Sequence, residues 1–91
     1  MRYQVSPRFD RSVRRLDPVR RRAVQDAIER LVAAFETGQV PMGLGLKRLR
    51  PGLWECRAGL SERILFYRRR DAVEFLLTGN HDDIRQFLRT S

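Results

Sequence analysis

The spacing of apolar residues changes once along this chain, and that change limits the fold more than any other feature. Between residues 9 and 35 apolar side chains recur every three or four positions, which is typical of amphipathic helices. From Leu53 onward apolar and polar side chains alternate, which is typical of strands with one buried face. A helical first half and a strand-rich second half predict an α+β fold with separate helical and sheet layers.

Two N-terminal helices are delimited by capping signals. Ser6 and Asp17 are each followed by proline, which combines an N-cap side chain with a favourable first helical residue. Gly38 then predicts a left-handed C-cap at the end of the second helix. These signals indicate a helical hairpin, followed by a flexible connection over residues 38–45.

Strands account for most of the remaining sequence. A short strand at residues 3–5 and a closing helix around Ile84 complete the order β-α-α-β-β-β-α. The other three strands are predicted at residues 53–58, 63–67 and 72–78. We expect the helical hairpin to cover one face of an antiparallel sheet and to leave the other partly open. We also expect residues 1–91 to form a single domain.

The charge of the chain is strongly positive, with 19 Lys and Arg residues against 11 Asp and Glu and a formal net charge of +8. All of the cations except Lys47 are arginines. The planar guanidinium group binds phosphate through two hydrogen bonds and stacks on bases, so this choice suits a nucleic acid partner. The alternative is an arginine-rich composition in which Arg stands wherever Lys would serve. The charge is consistent with binding to nucleic acid or to the ribosome.

Several other classes of protein are disfavoured by the sequence. Cys56 is the only cysteine, which excludes an intramolecular disulfide, and its alternation with Trp54 places it in the predicted core. The carboxylates near the C-terminus lie on different predicted elements, so we expect neither a metal site nor a cofactor. Residues 1–12 lack the apolar core of a signal peptide, and no stretch is long enough to cross a bilayer. We therefore expect a cytoplasmic protein with no membrane partner.

Three residues are candidates for catalysis. Arg57 and Arg63 are predicted to share the sheet face that is opposite the apolar core, and His81 follows the last strand. Metal-independent RNA cleavage needs fixed cations near the phosphoryl oxygens and a group that transfers protons near neutral pH. The structural alternatives are that His81 simply begins the last helix and that Arg63 forms a cross-strand ion pair with Glu55 or Glu74.

Two further side chains share this predicted face. Glu55 is either a complementary base or the ion-pair partner of Arg57. Tyr67 lies on the same face as Arg63 and is a candidate for stacking on the bases of single-stranded RNA.

Three segments, taken in their order along the chain, resemble motifs of the RelE/ParE superfamily of toxins from bacterial toxin–antitoxin pairs. Residues 47–57 fit the pattern K-x-L-x(2)-G-x-[WY]-x-x-R, and residues 63–67 resemble the strand R-[IVL]-[IVL]-[FY]. Residues 79–84 resemble a strand end of the form G-x-H. The resemblance covers nearly the whole chain and implies the α+β fold of that superfamily.

The resemblance also implies roles for individual residues. Arg63 resembles the family's phosphate-contacting arginine on the third strand, and Arg57 resembles its second-strand cation. His81 occupies the basic position after the last strand, and Lys47 resembles the cation before the second strand. The chain departs from the family at Phe87, where many of its nucleases have tyrosine. It also departs at residues 43–46, where some relatives have glutamate.

The RelE branch contains ribosome-dependent mRNA endonucleases, so the resemblance implies a toxin that cleaves mRNA by attack of a 2′-hydroxyl group on the phosphodiester. The expected partners are a cognate antitoxin, mRNA and the ribosome. In this scheme His81 is the general acid or base, and Arg63 and Arg57 stabilise the phosphoryl group. The other residues expected to contact substrate are Lys47, Arg48, Arg50, Glu55, Tyr67 and Phe87. The alternatives are a ParE-like toxin that inhibits DNA gyrase without cleaving RNA, and an inactive toxin that only binds RNA or antitoxin.

Overall fold

The computed structural model describes residues 1–90, which form three helices and five strands. The helices are α1 (Pro7–Arg14), α2 (Pro18–Thr37) and α3 (His81–Thr90). The strands are β1 (Arg2–Val5), β2 (Lys47–Arg50), β3 (Leu53–Ala58), β4 (Glu62–Arg68) and β5 (Ala72–Gly79). All five strands belong to one sheet in the order β1-β5-β4-β3-β2, so the predicted α+β fold is confirmed.

The sheet differs from the expected one in two respects. β1 pairs with β5 in parallel, so the sheet is mixed rather than wholly antiparallel. β2 is an additional edge strand that pairs with β3 in antiparallel orientation. Its sequence has three cations around Leu49 and no apolar alternation. An edge strand of this kind is stabilised by its backbone pairing, which leaves little signal in the sequence.

The capping residues of the helical hairpin act as predicted. The Ser6 hydroxyl accepts a hydrogen bond from the Phe9 amide at 3.0 Å, and the Asp17 carboxylate accepts one from the Arg20 amide at 2.8 Å. Gly38 ends α2 with a φ of 76°, in the left-handed region where a side chain would be strained. The short connections that result hold α1 and α2 together as one layer.

The helical hairpin covers one face of the sheet. Phe9 from α1 and Leu31 from α2 pack against Cys56, Ile64 and Phe66 from the strands. Burial raises the pKa of the Cys56 thiol to about 12, which keeps it protonated and confirms that it is a core residue rather than a nucleophile.

The opposite face is partly covered by α3. Leu53, Leu65, Leu77 and Ile84 form a second apolar cluster between the sheet and this helix. The pairing of β4 with β5 shifts by one residue at a bulge next to Leu76. Side chains of β5 after the bulge, such as Leu77, therefore lie on the opposite face from Phe75. This face is left open near the β3–β4 turn and also around Tyr67 and Glu74.

Two leucines of β4 and its preceding turn give a matched test of this core. Leu65→Ala removes a fully buried side chain and should lower the free energy of unfolding by about 2–5 kcal/mol. Leu60→Ala makes the same chemical change at a fully exposed position and should change it by less than about 0.5 kcal/mol. Urea unfolding followed by circular dichroism measures both values. Equal effects from the two substitutions would contradict the packing described here.

Candidate active site

The β3–β4 hairpin places two arginines side by side at the end of the sheet. Arg57 pairs with Arg63 across the hairpin, and Arg63 in turn pairs with Gly79 of β5. Residues that pair directly in this way project from the same face. Two like charges at such positions repel each other, so the arrangement requires a compensating group.

Glu55 supplies the compensating charge. Its carboxylate accepts a hydrogen bond from the Arg63 guanidinium group at 2.5 Å. Glu55 is only 4% exposed, whereas the Arg63 side chain is 28% exposed. A charge-assisted bond to a buried carboxylate holds the guanidinium group in a fixed position. The alternative in which Arg63 pairs with Glu55 is therefore confirmed. Glu55 pairs with Arg63 and not with Arg57, which was one of the two roles considered for it, and its contact with substrate stays a prediction.

Arg57 is exposed and is held by the loop before β2. Its amide donates a hydrogen bond to the Leu44 carbonyl at 2.7 Å. Its side chain lies over Gly45, where an added Cβ would come within 2.8 Å of the arginine Cγ. In the described part of the chain, no carboxylate forms an ion pair with Arg57. Its charge is therefore available to an anionic ligand.

His81 is the first residue of α3 and is exposed. The helix start is fixed by a reciprocal capping arrangement: Asp83 N–H donates to Asn80 Oδ1 at 2.9 Å, and Asn80 N–H donates to Asp83 Oδ2 at 2.8 Å. Gly79 allows this close packing, because a Cβ there would lie 2.6 Å from the Asp83 carboxylate. His81 therefore begins the last helix, as the alternative to a catalytic role proposed, and that helix fixes its position.

Arg57, Arg63 and His81 line one open cleft of about 460 Å³, together with residues of the β3–β4 turn such as Leu60 and Ser61. The structure therefore brings together the three residues predicted to be catalytic. Two guanidinium groups and one imidazole can bind a phosphate group and exchange a proton with it. Their catalytic role stays a prediction.

The cations of β2 do not converge on this cleft. Lys47 pairs with Glu55 and therefore lies on the same face as the cleft, but none of the three β2 cations is among the cleft's lining residues. Arg48 pairs with Trp54 and lies on the face of the helical hairpin. Arg50 donates a hydrogen bond to the Leu88 carbonyl at 2.6 Å near the end of α3. Lys47 and Arg50 thus lie on the face that carries the cleft, and Arg48 lies on the opposite face.

The two aromatic candidates also lie elsewhere. Tyr67 is four residues along β4 from Arg63, roughly 13 Å at about 3.3 Å per residue, and lines a separate depression with Glu74. Phe87 packs against the second apolar cluster, and the Arg8 guanidinium carbon lies 5.0 Å from its ring centroid. Neither aromatic side chain lines the cleft, so the structure does not bring them together with the catalytic candidates.

Glu62 is a residue of the cleft that the sequence analysis missed. It is 6% exposed and lines the cleft next to Arg63. Within residues 1–90 its Oε2 atom has no hydrogen-bond partner, and its Oε1 atom lies 3.9 Å from Arg20. The signal was present in the sequence, since Glu62 alternates with Ile64 and Phe66 and so occupies a position of the apolar face.

The pKa of Glu62 is raised, mainly because burial disfavours the charged form. Arg20 acts in the opposite direction, and Asp83 and Asp17 add to the increase. Glu62 is thus a buried carboxyl group whose ionisation destabilises the folded state.

Membrane-spanning helices and metal-binding clusters each have a geometry with which residues 1–90 can be compared. None of the helices there is both long enough and apolar enough to span a membrane. No group of three or more His, Cys, Asp or Glu side chains there is placed to hold a metal ion.

Neither a family model nor a curated protein matches the sequence. The fold, in contrast, matches solved toxin structures over nearly their whole length. A chain of the RelB–RelE antitoxin–toxin complex from Methanococcus jannaschii matches with a TM-score of 0.70 and 14% identity, over 92% of this chain and 96% of that one. YafQ from E. coli strain BL21(DE3) matches with a TM-score of 0.64 and 12% identity, over 92% of this chain and 98% of that one. A YoeB/ParE toxin from Agrobacterium tumefaciens matches with a TM-score of 0.65 and 17% identity, over 89% of this chain and 99% of that one.

The architecture is that of a small basic α+β domain, and the solved toxins named above share it. More specifically, the chain has the fold of the RelE/ParE toxins, which confirms the fold implied by the sequence resemblance. Identities of this size establish the fold alone, and the activity has to be argued from the cleft.

The buried carboxyl group of Glu62 leads to a prediction about pH and stability. Because its pKa is raised in the folded protein, its ionisation lowers stability as pH rises from the ordinary value of 4.5 through the raised one. Glu62→Gln removes this effect and should raise the free energy of unfolding at pH 7 by about 1 kcal/mol or more. The gain should disappear below about pH 4, where both folded and unfolded chains hold the proton.

Urea unfolding of both proteins at neutral and acidic pH measures this difference. Glu29→Gln, an exposed carboxyl group on α2, is the matched control and should show no pH-dependent gain. A Glu62→Gln protein that is less stable than the wild type at neutral pH would contradict the prediction.

Proposed function

We propose that this protein is the toxin of a toxin–antitoxin pair and that it cleaves mRNA as a metal-independent endoribonuclease. The observation that carries the proposal is that Arg57, Arg63 and His81 line one cleft on the uncovered end of the sheet. The fold is compatible with this role, since the sequence resembles the branch of the superfamily that contains mRNA endonucleases.

The reaction is the attack of a 2′-hydroxyl group on the adjacent phosphorus. A bond forms between the 2′-oxygen and phosphorus, and the bond from phosphorus to the 5′-oxygen breaks. The products are a 2′,3′-cyclic phosphate and a 5′-hydroxyl end. Negative charge gathers on the phosphoryl oxygens in the transition state, where Arg63 and Arg57 stabilise it.

The position of Arg63 is set by Glu55. The buried carboxylate offsets part of the repulsion between the two arginines and fixes the direction of the guanidinium group. Because the guanidinium group is already in place, little free energy is needed to reorient it when the transition state forms. We therefore assign Glu55 to positioning Arg63 rather than to contact with RNA.

His81 performs one of the two proton transfers, since it is the residue of the cleft whose side chain type titrates near neutral pH. The reaction also needs a second group, which accepts the 2′-hydroxyl proton or protonates the leaving 5′-oxygen. A ribosome that holds the mRNA could supply this group and orient the 2′-hydroxyl group for attack. The carboxyl group that shares the cleft with His81, Glu62, is buried, so the ribosome is the better source of the second group, which favours cleavage of ribosome-bound mRNA over free RNA.

We also propose that a cognate antitoxin neutralises the protein. Structures with the same fold include antitoxin–toxin complexes from Methanococcus jannaschii, E. coli and Mycobacterium tuberculosis. The net charge of +8 suits an acidic partner, and the fully exposed Leu60 at the rim of the cleft offers it an apolar contact.

A non-nucleolytic inhibitor of DNA gyrase is the second candidate. The observation that favours it is Phe87, which stands where many of the related nucleases have tyrosine and packs into an apolar cluster. An inhibitor that acts by occupying a surface does not need an imidazole beside two arginines, so His81 distinguishes the two functions.

The proposed nuclease activity depends on His81. We expect His81→Ala to reduce mRNA cleavage by about 10²-fold or more, because a positioned acid or base contributes about 10²–10⁴-fold. Growth arrest after induction and primer-extension mapping of mRNA cuts measure the loss in cells. The side chain is exposed, so the variant should unfold at nearly the wild-type temperature.

Gln25→Ala, an exposed polar change on α2, serves as the control and should leave both growth arrest and mRNA cuts unchanged. A folded His81→Ala protein that still arrests growth without mRNA cuts would support the gyrase inhibitor instead.

A further inference from the structure

A second cleft, of about 510 Å³, adjoins the candidate active site. It lies where α1 and the first turns of α2 and α3 meet the end of β5. Four arginines line it, namely Arg8, Arg11, Arg15 and Arg20. Its volume lies within the range of roughly 300–1,000 Å³ that is usual for small-molecule sites.

The two clefts share a boundary. Glu62 and Asn80 line both of them, so the two clefts adjoin, and we refer to them together as the groove. A polyanion bound at the first cleft can therefore extend into the second without leaving the surface. The cations of the groove suit phosphate groups. The polar residues that the two clefts share suit a base.

Glu62 is the distinctive group of the second cleft. It is more than nine-tenths buried, and its Oε2 atom has no hydrogen-bond partner within residues 1–90. Its nearest cation, Arg20, lies 3.9 Å away and has a 56% exposed side chain. A buried carboxylate without donors is costly, and the surrounding arginines do not satisfy it. Its free acceptor suggests a donor that arrives with a ligand.

We propose that the second cleft binds the nucleotide next to the scissile phosphate and that Glu62 selects guanine at this position. This inference rests on the proposed RNA substrate and names the base that is recognised. The arginines contact the phosphate, and Arg20 moves from Glu62 towards it as the base enters. The Glu62 carboxylate then accepts hydrogen bonds from the N1–H and N2–H groups of guanine.

The pattern of donors on the base edges explains the choice of guanine. Guanine presents two adjacent donors, which match the two oxygens of a carboxylate. Adenine and cytosine present one amino group beside an acceptor nitrogen, which would face the second oxygen and repel it. Uracil presents one N–H group between two carbonyl oxygens. Hypoxanthine keeps the N1–H group of guanine but lacks the 2-amino group, which makes inosine a sharp probe.

The test is a binding measurement with RNA that cannot be cleaved. Fluorescently labelled 2′-O-methyl oligouridylates with a single central guanosine, inosine, adenosine or uridine are titrated with the protein, and anisotropy gives Kd. We expect guanosine to bind about tenfold more tightly than inosine and than adenosine, because a hydrogen bond to a charged group is lost in each case. Glu62→Gln should reduce each difference to about twofold or less, whereas Glu29→Gln should keep them.

Each outcome decides the proposal. Equal affinity for all four RNAs, or a guanine preference that survives in Glu62→Gln, would overturn it. An equal loss of affinity for all four RNAs in Glu62→Gln would also overturn it, since the carboxyl group would then act only through the structure. Thermal unfolding shows that each variant is folded under the conditions of the titration.

The test is independent of catalysis. His81→Ala should keep the guanine preference while it loses cleavage, because His81 does not line the second cleft. A wild-type protein that prefers guanine but cleaves no mRNA would refute the nuclease and leave the base selection standing. A nuclease that binds all four RNAs equally would do the reverse.

Discussion

The hydrogen-bonded ion pair between Glu55 and Arg63 is the interaction on which the candidate site depends. Arg57 and Arg63 pair across the hairpin, where two guanidinium groups would repel each other without a compensating charge. Glu55 lies beneath them with 4% exposure, so its carboxylate acts in a medium that screens charge poorly. Removal of Arg63 would leave the buried Glu55 carboxylate without its partner, which costs stability. The pair therefore links the stability of the sheet to the cationic character of the cleft.

The last helix has two functions that cannot be separated. Ile84 closes the second apolar cluster, and the first turn of the same helix holds His81 beside the arginines. The bulge next to Leu76 contributes to both, because it turns Leu77 towards the helix and leads the strand to Gly79, which pairs with Arg63. Packing of one apolar face thus determines where the imidazole lies. Glu62 shows the opposite relation, since a buried and uncompensated carboxyl group costs stability, and we propose that it is kept for binding.

Much of the fold could be predicted from the sequence because its signals are local. The capping residues, Gly38 and the alternation around Cys56 each act within a few positions, and the structure agrees with all of them. The parallel pairing of β1 with β5 joins residues about 70 positions apart and leaves no local pattern. Alternation also correctly placed Arg57 and Arg63 together. It gives the face of a side chain but not its distance along the strand, which is why Tyr67 was expected in the same site. Burial of Glu55 and Glu62 depends on the packing of α3 and α2, which periodicity does not reveal.

The end groups of the cleaved RNA test the central claim most directly. Purified protein, ribosomes and a defined mRNA are incubated in the presence of a metal chelator at a concentration that leaves the ribosomes intact, and the new 5′ and 3′ ends are characterised. A cleft made of two arginines and a histidine predicts 5′-hydroxyl ends and 2′,3′-cyclic phosphate ends, which Arg63→Ala should abolish. Cuts with 5′-phosphate ends, or an intact mRNA under conditions in which the protein arrests translation, would contradict the account.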